Sequence, residues 1–418
     1  MNFVDITDIT IPEGSVEKIT ETSTGRVLWQ KKLKLSDLTN THWETIPTTS
    51  LIAIDSFEIA RSVLDTGNGV EIFSMLEGSS GCSTRFHLNT NGSLANRYTM
   101  WRGTPLQSDD IAELNYRALS SDEQQTKTEP IDTNNTGWSS AVKSVAIDPV
   151  SKVWCAISNK FYAVSSQNPT KWQQLPVLSS EEADDDSKNY FGVTWSPKLK
   201  RFCVWGQYGS CLIDNTGLIR GSKSTLLNSY GFSPSQYPGK IVWSEKLELF
   251  VCNLDKPQST DPMRIYLSSD GLTWNRVGVP LLGDTPIGSE VRDIEWMSEL
   301  GVFVLTVVKG ATVTVYKSND GYNFEYVKKF TDMGGTLSSL LCYSPDQNVL
   351  LLLSQKKSYI TRDLVNWTEI PYHVGTSNTQ YFLRITWSKS FNAFIGIRYA
   401  PSFGYANQDR VIYKLSLD

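Results

Sequence analysis

Histidine is scarce and scattered, with only His42, His87 and His373 in 418 residues. A metal centre or a Ser-His-Asp relay needs such groups brought together with carboxylates or a nucleophile. No His-x-x-x-His spacing does so, and no carboxylate recurs at a fixed interval from any of the three. The six cysteines, Cys82, Cys155, Cys203, Cys211, Cys252 and Cys342, show no Cys-x-x-Cys spacing. Most lie inside apolar runs such as Phe202-Cys203-Val204 and Phe250-Val251-Cys252, where cysteine behaves as a small core residue. They are expected to be reduced and buried, as in a protein made in a reducing cytoplasm, with a Cys203–Cys211 bridge across a hairpin the one adventitious alternative. The acidic run Glu181-Glu182-Ala183-Asp184-Asp185-Asp186 lacks the regular alternation of a calcium loop and reads as solvated. Two facing carboxylates suffice for an ordinary glycosidase, and a single sequence leaves that chemistry open. No catalytic, cofactor-binding or metal-ligating residue is assigned, and the chain is expected to be a non-enzyme without a cofactor.

Aromatic residues in polar surroundings offer binding rather than catalysis. Tyr190, Tyr208, Tyr230, Tyr237, Tyr372, Tyr399, Phe403 and Tyr405 fall in or beside stretches that read as connections. Tyrosine suits both sugars and protein surfaces, because it joins an apolar ring to a polar tip. Two uses are open for them, a shared ligand face or plugs in the gaps of the fold.

What would gather them is a repeat of about fifty residues. Trp195-Ser196 runs into Phe202-Cys203-Val204, Trp243-Ser244 into Phe250-Val251-Cys252, Trp296-Met297-Ser298 into Phe303-Val304-Leu305, and Trp387-Ser388 into Phe394-Ile395. A weaker copy, Tyr343-Ser344-Pro345 into Val349-Leu350-Leu351, fills the double interval before the last. Repetition at this period, built from strands, predicts propeller blades around an axis. A second phrase follows within each unit: Ser268-Ser269-Asp270-Gly271-Leu272-Thr273-Trp274, Ser318-Asn319-Asp320-Gly321-Tyr322-Asn323-Phe324 and Thr361-Arg362-Asp363-Leu364-Val365-Asn366-Trp367. Asp-Gly between strand-like runs is a strong turn signal. It places a tight turn between the third and fourth strands, with the following aromatic as a staple to the neighbouring sheet.

These hairpins resemble the Asp-box of sialidase-like propellers, usually Ser-x-Asp-x-Gly-x-Thr-Trp, with one residue fewer between Asp and Gly here. The resemblance implies a folding element on the rim. A sialidase active site would also imply three arginines gripping a carboxylate and an Arg-Ile-Pro signature. That signature is absent, since Arg61, Arg85, Arg97 and Arg102 are not followed by Ile-Pro. The nearest echo, Arg264-Ile265-Tyr266, sits in a strand before an Asp turn and reads as structural.

Counting closes the ring. An irregular unit holds Val70 to Ser74, Arg85 to Leu88 and the turn Asn89-Thr90-Asn91-Gly92. Another runs from Val145 through Trp154-Cys155 to Trp172, and the unit at Trp195 ends in the aberrant turn Asp214-Asn215-Thr216-Gly217. With those at Trp243, Trp296, Tyr343 and Trp387, seven units result. The last one has no Asp hairpin, but residues 33–47 supply an echo: Ser36-Asp37-Leu38 to Trp43-Glu44-Thr45-Ile46-Pro47 parallels Thr361 to Pro371. The expected fold is therefore all-β, a seven-bladed β-propeller of four-stranded antiparallel blades over residues 33–418. An N-terminal strand completes the last blade and covers an edge that an open ring would expose. Residues 107–137 form a polar insertion, either a contact region or decoration.

A formal net charge of −5, spread without a basic stripe, argues against phosphate-based nucleic-acid binding and against docking on an anionic membrane. No apolar run is long enough to span a bilayer, so no membrane insertion is expected. The start, Met1-Asn2-Phe3-Val4-Asp5, lacks the basic and apolar regions of a secretory signal.

Residues 1–32 are a different kind of segment, in which apolar residues including Ile9, Ile11, Val16 and Ile19 alternate with polar ones around a Glu-Gly turn, and a Thr-Gly turn leads into Val27, Leu28 and Trp29. Two or three short strands cannot bury a core alone. The stretch from Ile11-Pro12-Glu13-Gly14 through Val16-Glu17-Lys18-Ile19 to Gly25-Arg26-Val27-Leu28-Trp29 resembles the N-terminal segment of structural and tail-associated proteins of tailed bacteriophages. That resemblance implies an attachment module on other virion proteins, with those seven apolar residues as its contacts. The other reading is a strand pair tucked against the propeller. The function expected is a non-enzymatic virion protein of tail, fibre or collar, made in the host cytoplasm without a signal peptide. It would present its propeller for adhesion to a host-surface glycan or protein. A glycan-cleaving propeller and a purely structural or scaffold role are the alternatives.

Overall fold

The computed structural model describes residues 16–20, 27–31, 43–45, 57–76, 83–91, 94–101, 142–157, 161–165, 173–176, 190–206, 209–224, 240–253, 264–278, 290–334, 340–354, 356–370, 381–399 and 412–417. A hairpin of β1 (Val16–Thr20) and β2 (Val27–Lys31) forms a two-stranded sheet of its own. Blade 7 takes β3 (Trp43–Thr45) as its outermost strand. Blade 1 is β4 (Phe57–Asp65), β5 (Gly69–Leu76), β6 (Ser83–Asn89) and β7 (Leu94–Trp101). Blade 2 is β8 (Ser144–Ile147), β9 (Trp154–Ile157), β10 (Phe161–Ser165) and β11 (Gln173–Gln174). Blade 3 is β12 (Tyr190–Ser196), β13 (Arg201–Gly206), β14 (Gly209–Ile213) and β15 (Ile219–Ser224). Blade 4 is β16 (Ile241–Ser244), β17 (Leu249–Cys252), β18 (Arg264–Ser268) and β19 (Asn275–Gly278). Blade 5 is β20 (Glu290–Met297), β21 (Val302–Lys309), β22 (Thr312–Ser318) and β23 (Glu325–Phe330). Blade 6 is β24 (Leu340–Ser344), β25 (Val349–Leu353), β26 (Ser358–Thr361) and β27 (Thr368–Ile370). Blade 7 holds β28 (Tyr381–Ser388), β29 (Ala393–Tyr399), β30 (Ile412–Ser416) and then β3.

Every blade is antiparallel and meanders outward in chain order, and the first strands touch in a closed circle, β4 to β8 and on through β28 back to β4. The fold is the seven-bladed propeller that the repeat predicts. Its closure is the predicted one as well, with Trp43 opposite Leu415, Glu44 opposite Lys414 and Thr45 opposite Tyr413. A polar tie reinforces the seam: Ser388 and Ser390 both donate from Oγ to Asp65 Oδ1, at 2.7 and 2.8 Å.

The second strand of each blade explains the continuous apolar runs. In β13, Phe202 and Val204 pack towards blade 2, while Cys203 and Trp205 pack towards blade 4. In β21, Phe303, Leu305 and Val307 face blade 4, and Val304 and Val308 face blade 6. A strand buried on both faces has no polar side to alternate with, so it reads as unbroken hydrophobicity. The same alternation places Cys203 and Cys211 on opposite faces: Cys203 lies opposite Leu212 and Cys211 opposite Val204, which excludes a bridge between them. The five described cysteines are free and buried, and burial pushes the Cys155, Cys203, Cys252 and Cys342 thiols well up and Cys211 to about 12.

Both repeated phrases have a physical cause. Each Trp of the first strand lies directly across from the Phe of the second, with ring centroids 4.7 Å apart for Trp195–Phe202, 4.5 Å for Trp243–Phe250, 4.7 Å for Trp296–Phe303 and 5.1 Å for Trp387–Phe394. Tilted aromatic pairs of this kind add about 0.5–1.5 kcal/mol beyond the area they bury. The serine after the Trp accepts from the amide three residues on, as in Leu199 to Ser196 and Leu247 to Ser244. That bond caps the turn into the second strand.

In the Asp turns, Asp270 Oδ1 accepts from the amides of Leu272 and Thr273, Asp320 Oδ1 from Tyr322 and Asn323, and Asp363 Oδ1 from Val365 and Asn366. Partial burial alone would raise these carboxyls. The amides and polar side chains bonded to them outweigh it, so all three sit below the ordinary aspartate value, Asp320 at about 2. The aromatic that follows is a staple to the preceding blade. Trp274 Nε1 donates to Ser210 Oγ at 2.9 Å, Phe324 packs against Leu249 and Val251, and Trp367 meets Phe330 edge-on at 5.1 Å. Arg264, Ile265 and Tyr266 lie in β18, with Ile265 and Tyr266 buried in the core.

Candidate functional site: the axial channel

Among the described residues, a large space lies around the axis, where first-strand residues of all seven blades meet. It encloses about 1090 Å³ and is lined from Val63 in β4 round to Arg384 and Ile385 in β28. Five basic side chains, Lys143, Lys240, Lys246, Arg292 and Arg384, line it against three acidic ones, Glu245, Asp293 and Glu295. In a chain of net charge −5, that local excess of cations is a departure from the average surface.

The best-defined part of the wall is an ion cluster across blades 4, 5 and 6. Lys240 Nζ donates to Glu295 Oε2 at 2.7 Å and to the Leu341 carbonyl at 3.2 Å, and stands 3.4 Å from Asp293 Oδ1. Asp293 is fixed further by amide donors, Ile294 N at 2.8 Å to Oδ1 and Leu341 N at 2.7 Å to Oδ2. The backbone of Lys240 is held as well, its amide donating to Asn253 Oδ1 at 2.7 Å. Burial by itself would lower the pKa of Lys240, but the two carboxylates outweigh it and hold the ammonium above its ordinary value. The pKa of Glu295 is raised too, but for the opposite reason: burial disfavours its charge, and Lys240 offsets that only in part. Lys240 keeps 35% of its side chain accessible and Glu295 19%, both to the water of the channel.

Backbone irregularities recur at the same height. Register shifts break the pairing of the first two strands between Ala60 and Ser62, Tyr190 and Gly192, Val291 and Asp293, and Phe382 and Arg384. A bulge turns its side chains out of strict alternation. Here Arg292 lies within one shift and Arg384 ends another.

Of the eight expected ligand-face aromatics, Tyr190 and Tyr399 lie among the described residues. Tyr190 is a core residue, 6% exposed, packed between blades 2 and 3 with its hydroxyl donating to the Pro176 carbonyl at 2.6 Å. It plugs a gap between sheets rather than facing a ligand, because it opens a first strand that both neighbouring blades cover. Tyr399 ends β29, and Tyr208, Tyr230, Tyr237, Tyr372, Phe403 and Tyr405 lie outside the described residues. So do Ile9, Ile11, His42, Cys82, His373, the acidic run 181–186 and the insertion 107–137. Val16, Ile19, Val27, Leu28 and Trp29 are placed in the β1–β2 hairpin.

His87, in β6, has a carboxylate partner that no sequence spacing marked. Its Nδ1 lies 2.8 Å from Glu71 Oε1, Glu71 being buried and directly opposite on β5. A cross-strand pair has no fixed sequence spacing, so it was invisible before the register was known. No group of three or more His, Cys, Asp or Glu side chains able to hold a metal ion occurs among the described residues.

The channel cluster is what sequence reasoning missed. Lys240 and Arg384 stand three residues, and Arg292 four, before the Trp of their blades, so the repeat phrase held the signal at positions just upstream of it.

No family profile and no curated protein matches the chain. Among solved structures, the WD40 domain of Neurospora crassa Pan2 is similar at 10% identity, covering 90% of this chain and 96% of that one, with a TM-score of 0.53. The β-propeller domain of Myceliophteria thermophila Cps50 (Swd1) is similar at 9% identity over 86% and 97%, with a TM-score of 0.51. At such identities the likeness is one of fold alone.

Proposed function

We propose that the protein is a non-enzymatic component of a tailed-bacteriophage particle, docked through residues 1–32 and presenting its propeller to a host-surface glycan or protein. One observation carries this: β1 and β2 pair with each other and, among the described residues, with no blade. They span the part of the chain that resembles phage structural and tail-associated proteins. A hairpin too small to bury a core of its own gains its stability from a partner. The closed ring leaves its loop-bearing ends and its channel for the ligand, which is where propellers and other scaffolds carry binding groups.

The test has two arms. Deleting residues 1–32 is expected to abolish incorporation into particles, and unchanged incorporation refutes the attachment role. The full-length protein is expected to bind candidate host cells saturably without releasing reducing sugar. Sugar release turns the assignment to a glycan-cleaving propeller. A specific observation favours that second reading: Glu295, a carboxyl with a raised pKa, faces the channel beside Asp293. A raised carboxyl in a cleft is the usual mark of a general acid. Against it, Glu295 is already engaged by Lys240.

A further inference from the structure

The basic residues of the channel share a place in the repeat. Counted back from the Trp, or its counterpart, near the end of each first strand, Lys143 stands four residues before Ile147, Lys240 three before Trp243, Arg292 four before Trp296 and Arg384 three before Trp387. Blades 2, 4, 5 and 7 thus each bring one cation to the channel from just upstream of the repeat phrase, and all four side chains line it. The bulges in the first strands of blades 1, 3, 5 and 7 fall in this upstream stretch too. Four cations lining one confined space repel one another. Of the acids in the wall, Asp293 has both carboxylate oxygens occupied by amides and Lys240.

We propose that this ring of Lys143, Lys240, Arg292 and Arg384 is a binding site for an acidic oligosaccharide, whose carboxylate or sulfate groups the cations hold. The class of ligand rests on the host-surface reading above, while the site itself rests on the ring. Anions alone would be served by cations alone, yet Glu295 presents a partly accessible carboxylate among them. Sugar hydroxyls donate to such a group, whereas the side chains of an acidic peptide are repelled by it. Lys143, Arg292 and Arg384 already have interactions of their own, so a ligand exchanges with existing contacts and the affinity is modest and salt-sensitive.

The experiment is calorimetric titration of the full-length protein with four oligomers of equal length: polygalacturonate, a sulfated glycan, neutral maltohexaose and polyglutamate. The two acidic sugars are expected to bind, maltohexaose and polyglutamate at least about tenfold more weakly, with affinity falling as salt rises from about 0.05 to 0.5 M. Carboxylate and sulfate arms tell which anion is preferred. Arg384→Gln and Lys143→Gln are each expected to lower affinity about tenfold, the scale of one charge-assisted hydrogen bond, whereas Lys329→Gln on an outer strand changes nothing. Equal binding of the neutral sugar or of polyglutamate overturns the proposal, and so do unaffected Arg384 and Lys143 variants that melt like the parent. Host-cell binding of the same variants separates the two readings. Cells bound equally by Arg384→Gln and not competed by either acidic sugar sink the site and leave adhesion standing. Acidic sugars bound without any host binding sustain the site and sink adhesion.

Discussion

Replacing Gly321 by alanine probes how the blades are plugged together. Gly321 has φ +79°, and a Cβ there would lie 2.7 Å from Leu267 Cδ2 and 2.9 Å from Leu249 Cδ2 of the preceding blade. The left-handed conformation costs a residue with a Cβ about 1–2 kcal/mol. Both obstructing atoms are ends of leucine side chains, which can shift, so overpacking falls near the low end of its range, about 1 kcal/mol. Gly321→Ala is therefore expected to destabilise by roughly 2–3 kcal/mol. The assay is urea unfolding of the full-length protein by tryptophan fluorescence, read as a lower midpoint at unchanged slope. Leu267→Ala alone costs about 2–5 kcal/mol by opening a cavity. In the double variant the new methyl enters that space, so the two costs sum to about 1 kcal/mol less than additivity. Blade 6 holds the complementary case, Leu364 at φ 63° and 4% exposed in the same turn position, facing a blade whose residue before the turn serine is Lys317 rather than a leucine. There Leu364→Gly relieves backbone strain but empties a filled site, a net loss of about 2 kcal/mol. A Gly321→Ala cost below about 0.5 kcal/mol, or strict additivity with Leu267→Ala, refutes the plug.

Three further outcomes follow from the electrostatics and burial. Asp320→Asn removes a carboxylate whose pKa falls from 3.8 to about 2 on folding; after discounting for solvent, it is expected to cost roughly 1–2 kcal/mol above pH 4. Because the folded carboxyl binds its proton less tightly than the unfolded one, that difference shrinks as pH falls from about 4 towards 2, which parallel acid titrations of unfolding check. Lys240→Met leaves Asp293 and Glu295 without their cation and is expected to cost about 2–3 kcal/mol at neutral pH, below the full value for a buried pair because the site opens to channel water. Adding Glu295→Gln recovers part of the loss, and a double variant no more stable than Lys240→Met in thermal melts counts against the cluster. Labelling with an aromatic disulfide reagent is expected to modify no thiol of native protein other than Cys82, since the other five are buried and poorly ionised; fast labelling at Cys203 or Cys252 contradicts the core assignment.

The architecture was legible because its signals are local. A Trp and a Phe across one hairpin, a serine capping the turn and an Asp accepting consecutive amides all act within a few residues, so they leave a phrase in the sequence. Ring closure was legible for the same reason: residues 36–47 repeat the phrase that blade 7 lacks. What stayed hidden depends on register between distant segments. The Glu71–His87 pair exists because β5 and β6 align Glu71 with His87. Tyr190 looked like a loop aromatic because it opens a strand, and only the packing of blade 2 against blade 3 shows that it is buried. The innermost strand of blade 1 carries no Trp-Ser phrase, its place being held by Leu64-Asp65.

The packing also dictates where function has room. Among the described residues, second strands are covered on both faces over most of their length, and in blades 3 to 6 the third strands are nearly so, which commits their side chains to the core. A substitution there that served a ligand would cost a cavity or an unpaired polar group, each worth kilocalories. Among the described residues, the first strands and the residues flanking them border the open space along the axis, and the upstream ends of those strands lie clear of the Trp-Phe pairs. Charge placed at that height is free of the repeat's structural demands. It is there, three or four residues before the Trp, that lysine and arginine recur in blades otherwise alike only in their core. The phrase that specifies the blade and the cations that line the channel are thus neighbours in sequence, three or four residues apart.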